Sequence, residues 1–242
     1  MKQYLIPGAL VAVAIGATIW MTSLGQVGLY FVAPPGQLLK ATVVHIELVA
    51  AAEILAILIG VLLGFAITRP KLKIASPFII GIANIGQTIP TLAFIAIFGL
   101  IWGFGFFAGV VALFVYATLP VIRNTYAGIN SVEPAIKEAG RGMGMTLGQV
   151  TLRVELPLAR PVIMAGIRTS TVINVGTAAV AGMVGAGGLG EVITMGIAVR
   201  HIELVIQGAA LTAALAIFLD ALLAGLESWM TPRGLKVAKA AV

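Results

Sequence analysis

Long apolar segments dominate this sequence, and charged residues lie almost entirely between them. Hydrophobic residues occupy 60% of the 242 positions and charged residues only 10%, whereas soluble domains have about 25% charged residues. Such a chain cannot cover a water-exposed surface with polar groups. Since an apolar helix of about 20 residues crosses the hydrocarbon core of a bilayer, the pattern predicts an all-α integral membrane protein.

Six segments are long and apolar enough to be transmembrane helices, with turn-forming and charged residues between them. They cover residues 5–21, 46–67, 78–101, 106–122, 161–184 and 202–226. We expect one transmembrane domain over residues 1–242. Residues 1–40 are then the first span and an outer loop, residues 41–226 the core of the domain, and residues 227–242 a cytoplasmic tail.

The basic residues favour one orientation, because Lys and Arg beside a span tend to remain cytoplasmic. With the amino terminus inside, only Lys40 and Arg200 fall on the outer side. The basic residues of the inner set are Lys2, Arg69, Lys71, Lys73, Arg123, Lys137, Arg141, Arg153, Arg160, Arg168, Arg233, Lys236 and Lys239. Both termini are therefore predicted to be cytoplasmic, in a multi-pass protein of the inner (cytoplasmic) membrane.

The net charge of +6 follows from this topology and from contact with anionic membrane lipid, and no nucleic-acid partner is expected. The first span begins like a secretory signal peptide, with Met1 and Lys2, but no clear small-residue cleavage site follows it. We therefore expect a retained signal anchor. The absence of cysteine excludes disulfides, thiol catalysis and cysteine metal sites.

A charged segment, residues 123–160, interrupts the apolar pattern between the fourth and fifth predicted spans. Pro134 suits the first turn of a helix that Asn130 or Ser131 can cap, and the glycines that follow indicate where this helix ends. The helix is too short and too charged to cross a membrane. We expect it to lie at the cytoplasmic side.

A second short helix is predicted over residues 147–155. Thr146 and Gln149 have the spacing of a capping box, and the helix should end before Pro157 because the residue before a proline disfavours helix. The apolar side chains of these two helices must be shielded from water by another surface. One interpretation is an amphipathic stretch that rests on lipid or on the protein's own spans, and the other is a groove on a partner protein.

One motif runs through both short helices. Its residues are Glu138, Ala139, Gly140, Gly144 after three residues, and, after nine more, Val154, Leu156 and Pro157. This spacing resembles the cytoplasmic loop of the permease subunits of ATP-binding-cassette (ABC) importers, usually E-A-A, three residues, G, nine residues, I-x-L-P. The chain departs from that pattern with Gly140 for the second Ala and Val154 for Ile, which are small changes in volume. The resemblance implies that the seven residues form the contact with a partner ATPase.

The roles within this motif differ. Glu138 is expected to make a charged contact or to support its helix through Arg141, and these two interpretations are compatible. Gly144 is expected to permit a tight turn or a close approach of the backbone. Leu156 and Pro157 are expected to end the second short helix and to redirect the chain into the fifth span.

The resemblance also implies partners. In ABC importers this loop transmits the motion of the ATPase to the spans, which alternate access to a central path. The chain has no Walker A sequence, so ATP and magnesium are expected on a separate ATPase subunit, with no cofactor bound by this chain and no enzymatic activity of its own. A second permease copy or a paralogue, an extracytoplasmic substrate-binding protein and membrane lipid complete the expected surroundings.

Several segments indicate which class of solute the chain transports. Residues 84–91 (NIGQTIPT), 119–126 (LPVIRNTY) and 138–145 (EAGRGMGM) resemble permeases for glycine betaine, carnitine and choline, and the likeness extends over about residues 40–226. The resemblance implies uptake of a quaternary-amine osmoprotectant. Because single motifs are shared with methionine-type permeases, an ABC permease for another small solute such as methionine remains an alternative.

Polar residues inside the predicted spans are candidates for the translocation path, because such groups are costly in a membrane. Gln87, Asn174 and Thr177 either line the path or make hydrogen bonds between helices. Glu53, deep in the second span, either attracts a cation or relays a proton, or it is a structural acid. An ion-coupled secondary carrier with its ion site at Glu53 or Asp220 is therefore the alternative of a different class, although no inverted repeat supports it. No aromatic cage for a quaternary ammonium ion is evident.

A glycine run follows the fifth predicted span, at Gly185, Gly187, Gly188 and Gly190. It formally matches the dinucleotide motif G-x-G-x-x-G, but the strand and the βαβ unit that this motif requires are missing. We interpret the run as a turn or a partly re-entrant segment at the outer mouth, an outer gate. His45 and His201 each stand alone on the outer side, and no metal site is predicted.

Overall fold

The computed structural model describes residues 2–26 and 32–230, and every regular element in these ranges is helical. The predicted all-α class is confirmed. The elements are α1 (Lys2–Gln26), α2 (Pro35–Ala66), a 3₁₀ turn (Lys73–Ala75), α3 (Ser76–Gly86), α4 (Thr91–Trp102), α5 (Phe106–Asn130), α6 (Pro134–Gly142), α7 (Leu147–Val150), a π-turn (Thr151–Glu155), α8 (Leu156–Gly182), α9 (Leu189–Val199) and α10 (Ile202–Met230).

The helix α5 lies at the centre of the bundle, where it packs against α2 and α8. Small residues let α2 approach it closely: a Cβ added at Gly64 would lie 2.7 Å from the Ile122 carbonyl oxygen and 2.7 Å from Thr125 Cβ. Such contacts are typical of membrane helices, since lipid offers no hydrophobic driving force between them. The buried side chains of this core include Leu48, Ala52, Leu113, Val175 and Ala178, together with Ile95 of α4.

Among the described residues, four helices are long and apolar enough to cross a bilayer on their own: α1, α2, α5 and α10. The helices α3 and α4 meet that requirement only as a pair, and their axes differ by 96°. The predicted span over residues 78–101 is therefore sharply bent rather than one straight helix. Pro90 has no amide hydrogen and disfavours helix at the residue before it, so α4 begins only at Thr91.

The fifth predicted span corresponds to α8, which has 27 residues but is not among the helices apolar enough to qualify alone. At 1.5 Å per residue it is about 40 Å long, which is sufficient to cross a bilayer. Its uncovered side carries mostly small or polar residues, Ala165, Thr169, Val172 and Gly176. Five of the six expected spans thus correspond to apolar helices: α1, α2, the bent pair α3 and α4, α5 and α10. The sixth corresponds to α8, one side of which is less apolar.

The helices α2 and α5 extend well beyond the predicted spans. The helix α5 continues to Asn130 rather than ending at residue 122, and α2 begins at Pro35 rather than at residue 46. Once a helix has formed, each added residue gains a backbone hydrogen bond, so extension beyond the membrane core is easy. The charged segment contracts accordingly, and we refer to residues 131–155 as the central loop.

The predicted tail, residues 227–242, begins inside α10, which extends to Met230. Three of the predicted cytoplasmic basic residues, Arg233, Lys236 and Lys239, lie outside the described residues, as does the side chain of Lys2.

Candidate functional site

The central loop lies at the end of the bundle where α5 stops and α8 starts. The helix α6 has Pro134 in its first turn, as predicted, but Glu133 occupies the N-cap position without a side-chain hydrogen bond. The predicted caps are wrong: Asn130 is the last residue of α5, and the Ser131 hydroxyl donates to a carbonyl of α5 at 2.8 Å. Because α5 is longer than predicted, both residues belong to its carboxyl end.

The helix α6 ends at Gly142, among the glycines that predicted its end. Gly144 has a φ of +82°, which favours glycine. Its N–H donates to the Arg141 carbonyl at 2.9 Å, and the Met145 N–H donates to the Gly140 carbonyl at 3.2 Å. These two bonds form a Schellman motif, which satisfies carbonyls at the end of the helix. The prediction of a tight turn at Gly144 is confirmed.

Gly140 is the motif position at which this chain has glycine in place of alanine. It is buried against the second half of the central loop. An added Cβ would lie 3.4 Å from Val150 Cγ2, 3.6 Å from Met145 Sδ and 3.7 Å from Val154 Cγ2. Since these are ordinary van der Waals distances, alanine would fit here, and the departure from the pattern leaves the packing of the loop intact.

The second loop helix begins as predicted. Thr146 Oγ1 accepts a hydrogen bond from the Gln149 N–H at 3.3 Å, and Gln149 Oε1 accepts one from the Thr146 N–H at 2.9 Å, which completes a capping box. The predicted end before Pro157 is wrong, because the chain stays helical through Leu156 and Pro157. The helix α7 runs through the π-turn directly into α8, which has Pro157 in its first turn. The wider π-turn accommodates a proline, which has no N–H and crowds an earlier carbonyl.

Glu155, an acidic residue inside the second half of the motif, connects three parts of the bundle. Its side chain is buried, and the residue is only 5% exposed. Glu155 Oε2 accepts hydrogen bonds from Arg69 Nη2 at 2.6 Å and from Thr151 Oγ1 at 3.1 Å, while Oε1 lies 3.4 Å from Lys137 Nζ. Arg69 follows the end of α2 and Lys137 belongs to α6. One carboxylate therefore joins α2, α6 and the start of α8.

The surroundings of Glu155 favour its ionised form. Burial alone would raise the pKa of this carboxyl, but the hydrogen bond and charge of Arg69, the Thr151 hydroxyl and the charge of Lys137 outweigh burial and lower the pKa below its usual value. Arg69 is held in turn by Phe65, whose ring centre lies 3.9 Å from the guanidinium carbon. Glu155 is the buried member of this ionic contact, whereas the Arg69 side chain is 31% exposed.

The opposite side of the central loop is uncovered. Glu138 and Ala139 are exposed, and among the described residues Glu138 forms no ion pair with Arg141, so the expected support within the helix is absent. Four apolar side chains of the central loop are also exposed: Ile136 (41% exposed), Met143 (72%), Leu147 (69%) and Leu152 (68%). We refer to these six residues as the exposed loop face. Apolar side chains grouped on a polar loop are typical of a surface that another molecule covers.

Glu53 and Asn174 contact each other inside the protomer. The Asn174 amide donates to Glu53 Oε2 at 3.0 Å between α2 and α8, and both residues are buried. Among the described residues, Glu53 Oε1 and Asn174 Oδ1 have no hydrogen-bond partner. The Thr177 hydroxyl donates to carbonyls of its own helix. For Glu53 and Asn174 the structure supports the interpretation as a contact between helices, and the cavity lined by Gln87 does not include them.

That cavity has a volume of about 430 Å³ and lies between the end of α3, α5 and α8. Its lining includes Gln87, Tyr116, Arg123, Asn124, Thr169 and Ile173. Gln87 lies at the break between α3 and α4, and its carbonyl accepts a long hydrogen bond of 3.5 Å from the Tyr116 hydroxyl. Arg123 and Thr169 are exposed at the rim. Of the four predicted path residues, only Gln87 lines this cavity.

A row of aromatic rings extends from Tyr116 along α4. Phe94 meets Tyr116 edge to face with 6.3 Å between ring centres, Phe98 stacks on Phe94 at 6.4 Å, and Trp102 stacks on Phe98 at 5.5 Å. The three residues of α4 are four positions apart and so share one face of the helix. That spacing was visible in the sequence, but the contact with Tyr116 was not, because it joins two helices.

The glycine run forms a turn between α8 and α9, with positive φ at three positions, Gly185, Gly187 and Gly188. His45 of α2 is fully buried beside it. The Leu189 N–H donates to His45 Nδ1 at 3.3 Å, and His45 Nε2 donates to the Val175 carbonyl at 3.1 Å. The packing of α2 against α8 thus places both ring nitrogens of His45 beside backbone groups.

Gly190 has a different role, because it lies in the first turn of α9. A Cβ at this position would lie 2.0 Å from the Ala179 carbonyl oxygen, so only glycine allows α9 to approach α8 this closely. The predicted turn is confirmed, and it is followed by a short apolar helix of 11 residues.

Arg168 of α8 binds two carboxylates of α10. Its Nε and Nη2 donate to Asp220 Oδ1 and Oδ2 at 2.9 and 3.0 Å, and its Nη1 donates to Glu227 at 3.1 Å. Asp220, the second candidate ion site, is thus paired with an arginine. His201 lies 3.6 Å from Glu203. Within residues 2–26 and 32–230, no group of three or more His, Asp or Glu side chains is arranged to hold a metal ion.

A bundle of long apolar helices with a compact charged loop at one end defines a multi-pass membrane protein. Residues 56–232 match the sequence profile of the binding-protein-dependent transport system inner membrane components. The chain belongs to this family. The matched region contains the central loop, the cavity and the glycine turn.

Curated relatives cover most of the chain. The choline transport system permease protein OpuBB of Bacillus subtilis (strain 168) is 46% identical over 204 residues, which are 84% of this chain and 93% of that protein. The glycine betaine/carnitine/choline transport system permease protein OpuCB of the same strain is 44% identical over the same shares. The osmoprotectant import permease protein OsmW of Salmonella typhimurium (strain LT2) is 44% identical over 212 residues, 86% of this chain and 98% of that protein.

The fold is also found in solved structures. A chain of the MetNI methionine ABC transporter, solved in an inward-facing conformation, superposes with a TM-score of 0.71 and 23% identity over 82% of this chain and 98% of that chain. A chain of an amino acid ABC transporter superposes with a TM-score of 0.66 and 22% identity over 80% and 94%. At these identities the similarity establishes the fold alone.

Proposed function

We propose that this chain is the permease subunit of an ATP-driven ABC importer for quaternary-amine osmoprotectants such as glycine betaine, carnitine and choline. The curated relatives, which are 44–46% identical over most of both chains and are named for these solutes, support the solute class. The family, whose description names a binding protein, supports the class of transporter. The observation that carries the mechanism is the exposed loop face.

The exposed loop face docks into a groove of the ATPase subunit. A short helix with flexible Met and Leu side chains suits such a groove, and the burial of Met143, Leu147 and Leu152 would supply the apolar part of the contact. Glu138 and Ala139 contact the ATPase directly, whereas the other motif residues shape the loop or join it to α8. This division follows from which motif positions are exposed, except at Gly144, which is exposed but is assigned to the turn by its positive φ.

Motion of the ATPase reaches the spans by two routes. The helical backbone is continuous from α7 through the π-turn into α8, so a displacement of the loop moves α8 directly. Glu155 adds a second route, because its ion pair with Arg69 connects the loop to the end of α2. Moving α2 and α8 together would open the path alternately to the two sides of the membrane.

The assembly contains two ATPase subunits, a second permease copy or a paralogue, and a substrate-binding protein on the far side of the membrane. ATP and magnesium bind to the ATPase, and this chain binds no cofactor and has no enzymatic activity of its own. The amino and carboxyl termini and the central loop lie on the cytoplasmic side. The distribution of Lys and Arg in the sequence supports this orientation.

The test is reconstitution of the chain with its ATPase and binding protein in lipid vesicles, followed by ATP-dependent uptake of labelled glycine betaine. We expect uptake by the wild type, and loss of uptake with normal membrane insertion in Glu138→Lys. Glu47→Lys, a charge reversal at an exposed position in the amino-terminal half of α2, is the matched control and should retain uptake. Wild-type uptake and stimulated ATPase activity in Glu138→Lys would contradict the docking site, and failure to form any complex would favour an ion-coupled carrier.

A further inference from the structure

We infer that the cavity between α3, α5 and α8 is a subsite for zwitterionic trimethylammonium solutes, which holds the ammonium group at Tyr116 and the carboxylate at Arg123. This inference rests on the proposed function and deepens it, because it selects betaine-type solutes over choline. The family name and the names of the relatives assign no solute contact to either residue.

The position and size of the cavity suit a solute in transit. Its volume of about 430 Å³ falls in the range of about 300–1,000 Å³ that is typical of ligand pockets. Its rim continues into the uncovered side of α8, where Thr169 and Gly176 are exposed. Polar groups that face lipid are costly, so a polar rim on a spanning helix indicates water, solute or a second permease copy.

The ammonium end is built from an aromatic ring and backbone carbonyls. A quaternary ammonium ion has no hydrogen to donate, so aromatic faces and carbonyl dipoles recognise it. Tyr116 supplies the ring, which Phe94 supports at 6.3 Å. Gln87 lies at the carboxyl end of α3, where the partial negative charge of the helix dipole is concentrated. The break between α3 and α4 opens that end to the cavity, as broken helices do at other solute sites in membranes.

Arg123 forms the end of the cavity that binds the carboxylate of the solute. It lies seven residues after Tyr116 on α5, two helical turns or about 10 Å along the axis, and therefore on the same face. Among the described residues Arg123 has no ion-pair partner, and the cavity lining contains no Asp or Glu. The carboxylates of Asp220 and Glu227 are occupied by Arg168. A guanidinium that lacks a protein carboxylate is suited to bind one from a solute.

The same charge disfavours choline. A solute that carries a positive charge and no carboxylate would meet the Arg123 guanidinium without compensation, whereas glycine betaine and carnitine carry both charges. The subsite therefore discriminates by the carboxylate, while Tyr116 recognises the trimethylammonium group that all three share. The expected preference is betaine-type solute over choline.

The test uses the purified permease–ATPase complex without the binding protein, so that only solute sites on the complex are observed. Saturation-transfer NMR of the trimethyl protons is recorded in separate titrations with glycine betaine and choline. We expect tighter binding of glycine betaine in the wild type. Tyr116→Leu should weaken the binding of both solutes roughly 2- to 30-fold, and Tyr116→Phe should retain binding. Arg123→Gln should abolish the preference, because it weakens the binding of glycine betaine and leaves the binding of choline unchanged.

Phe107→Leu is the matched control, since Phe107 extends the aromatic row at its far end, outside the cavity lining. The ratio of the two affinities does not depend on how much of a variant is folded, so Arg123→Gln remains informative if its yield is low. Binding in Tyr116→Leu equal to wild type, or an unchanged ratio in Arg123→Gln, would overturn the subsite. Wild-type ATP-dependent uptake without saturable binding would also overturn it while preserving the proposed function, whereas absence of uptake of any quaternary amine would refute the function itself.

Discussion

Arg69 and Glu155 lie 86 positions apart in the sequence and share a hydrogen-bonded ion pair of 2.6 Å. This contact joins the end of α2 to the π-turn, so the central loop is fixed to a helix that is not its neighbour in sequence. Lys137 lies 3.4 Å from the same carboxylate and adds α6 to the cluster. A displacement of the exposed loop face would therefore move α2 as well as α8.

Glu155→Gln should destabilise the protein and reduce the uptake obtained per ATP hydrolysed. Hydrogen bonds to charged groups contribute about 1.5–3 kcal/mol each, and the substitution leaves Arg69 partly buried without its carboxylate. Thermal unfolding of the purified chain and the ratio of uptake to ATPase activity measure the two effects. Arg153→Gln, an exposed neighbour in the π-turn, is the control and should change stability by less than about 0.5 kcal/mol. An unchanged ratio would remove Glu155 from the coupling route.

Acid should weaken the same cluster. The pKa of Glu155 is lowered in the folded protein below the usual 4.5, so the unfolded chain binds the proton more readily. The stabilisation is complete above the usual glutamate pKa and is lost as the pH falls through the lower folded value. Unfolding midpoints recorded from pH 7 to pH 3 should decline less steeply in Glu155→Gln than in the wild type. Parallel curves would show that other groups control the acid sensitivity.

Alanine substitutions at two glycines of the central loop should have opposite effects. Gly140→Ala places its Cβ at ordinary contact distances within a helix and should stabilise the loop by up to about 1 kcal/mol. Gly144→Ala forces a side chain into a φ of +82° and should cost about 1 kcal/mol or more. Protection of the loop amides from hydrogen exchange, measured in both variants, provides the comparison. Equal protection in the two would contradict the Schellman turn.

Glu53→Gln should transport normally. The amide can accept the Asn174 hydrogen bond and can also supply a donor beside the unpartnered Asn174 oxygen. Glu53→Leu leaves Asn174 buried without a partner, which costs about 1–3 kcal/mol. Uptake and thermal stability distinguish the variants. Loss of uptake in a stable Glu53→Gln protein would favour the ion-coupled carrier, since that mechanism needs an ionisable side chain here.

Gly190→Ala should prevent correct packing of α9. Its Cβ would lie 2.0 Å from the Ala179 carbonyl oxygen, and backbone atoms cannot move aside as a flexible side chain can. We expect low yield and a broadened profile in size-exclusion chromatography. Gly81→Ala, which has no other atom within 4 Å of its Cβ, is the matched control and should behave as wild type. A well-folded Gly190→Ala protein would mean that α9 does not lie against α8 in this way.

Local signals in the sequence were sufficient to predict several features of the structure. The capping box of Thr146 and Gln149 and the turn at Gly144 depend only on neighbouring residues, and both are present as predicted. The prediction that the loop helix ends before Pro157 failed, because a π-turn accommodates the proline and the helix continues. Pro90 offered a signal for a break in the third span, but the size of the bend, 96°, depends on how α3 and α4 pack against other helices.

The site depended on contacts between distant segments. Glu155 offered a weak signal as an acidic residue within an apolar motif, yet its partners Arg69 and Lys137 belong to other elements. Glu53 and Asn174 were both recognised as costly polar groups, but only the packing of α2 against α8 shows that they contact each other. Tyr116 carried no signal at all, because its importance comes from the cavity beside it.

The sequence by itself determined that this chain is a helical membrane protein with a charged loop and a glycine turn, since hydropathy, caps and backbone preferences act between close neighbours in the chain. The tertiary structure decided which polar groups are buried as pairs and which line a cavity. It also decided that the loop is connected to α2 as well as to α8. These outcomes depend on how whole helices pack, and the free energy of that packing comes from residues far apart in the sequence.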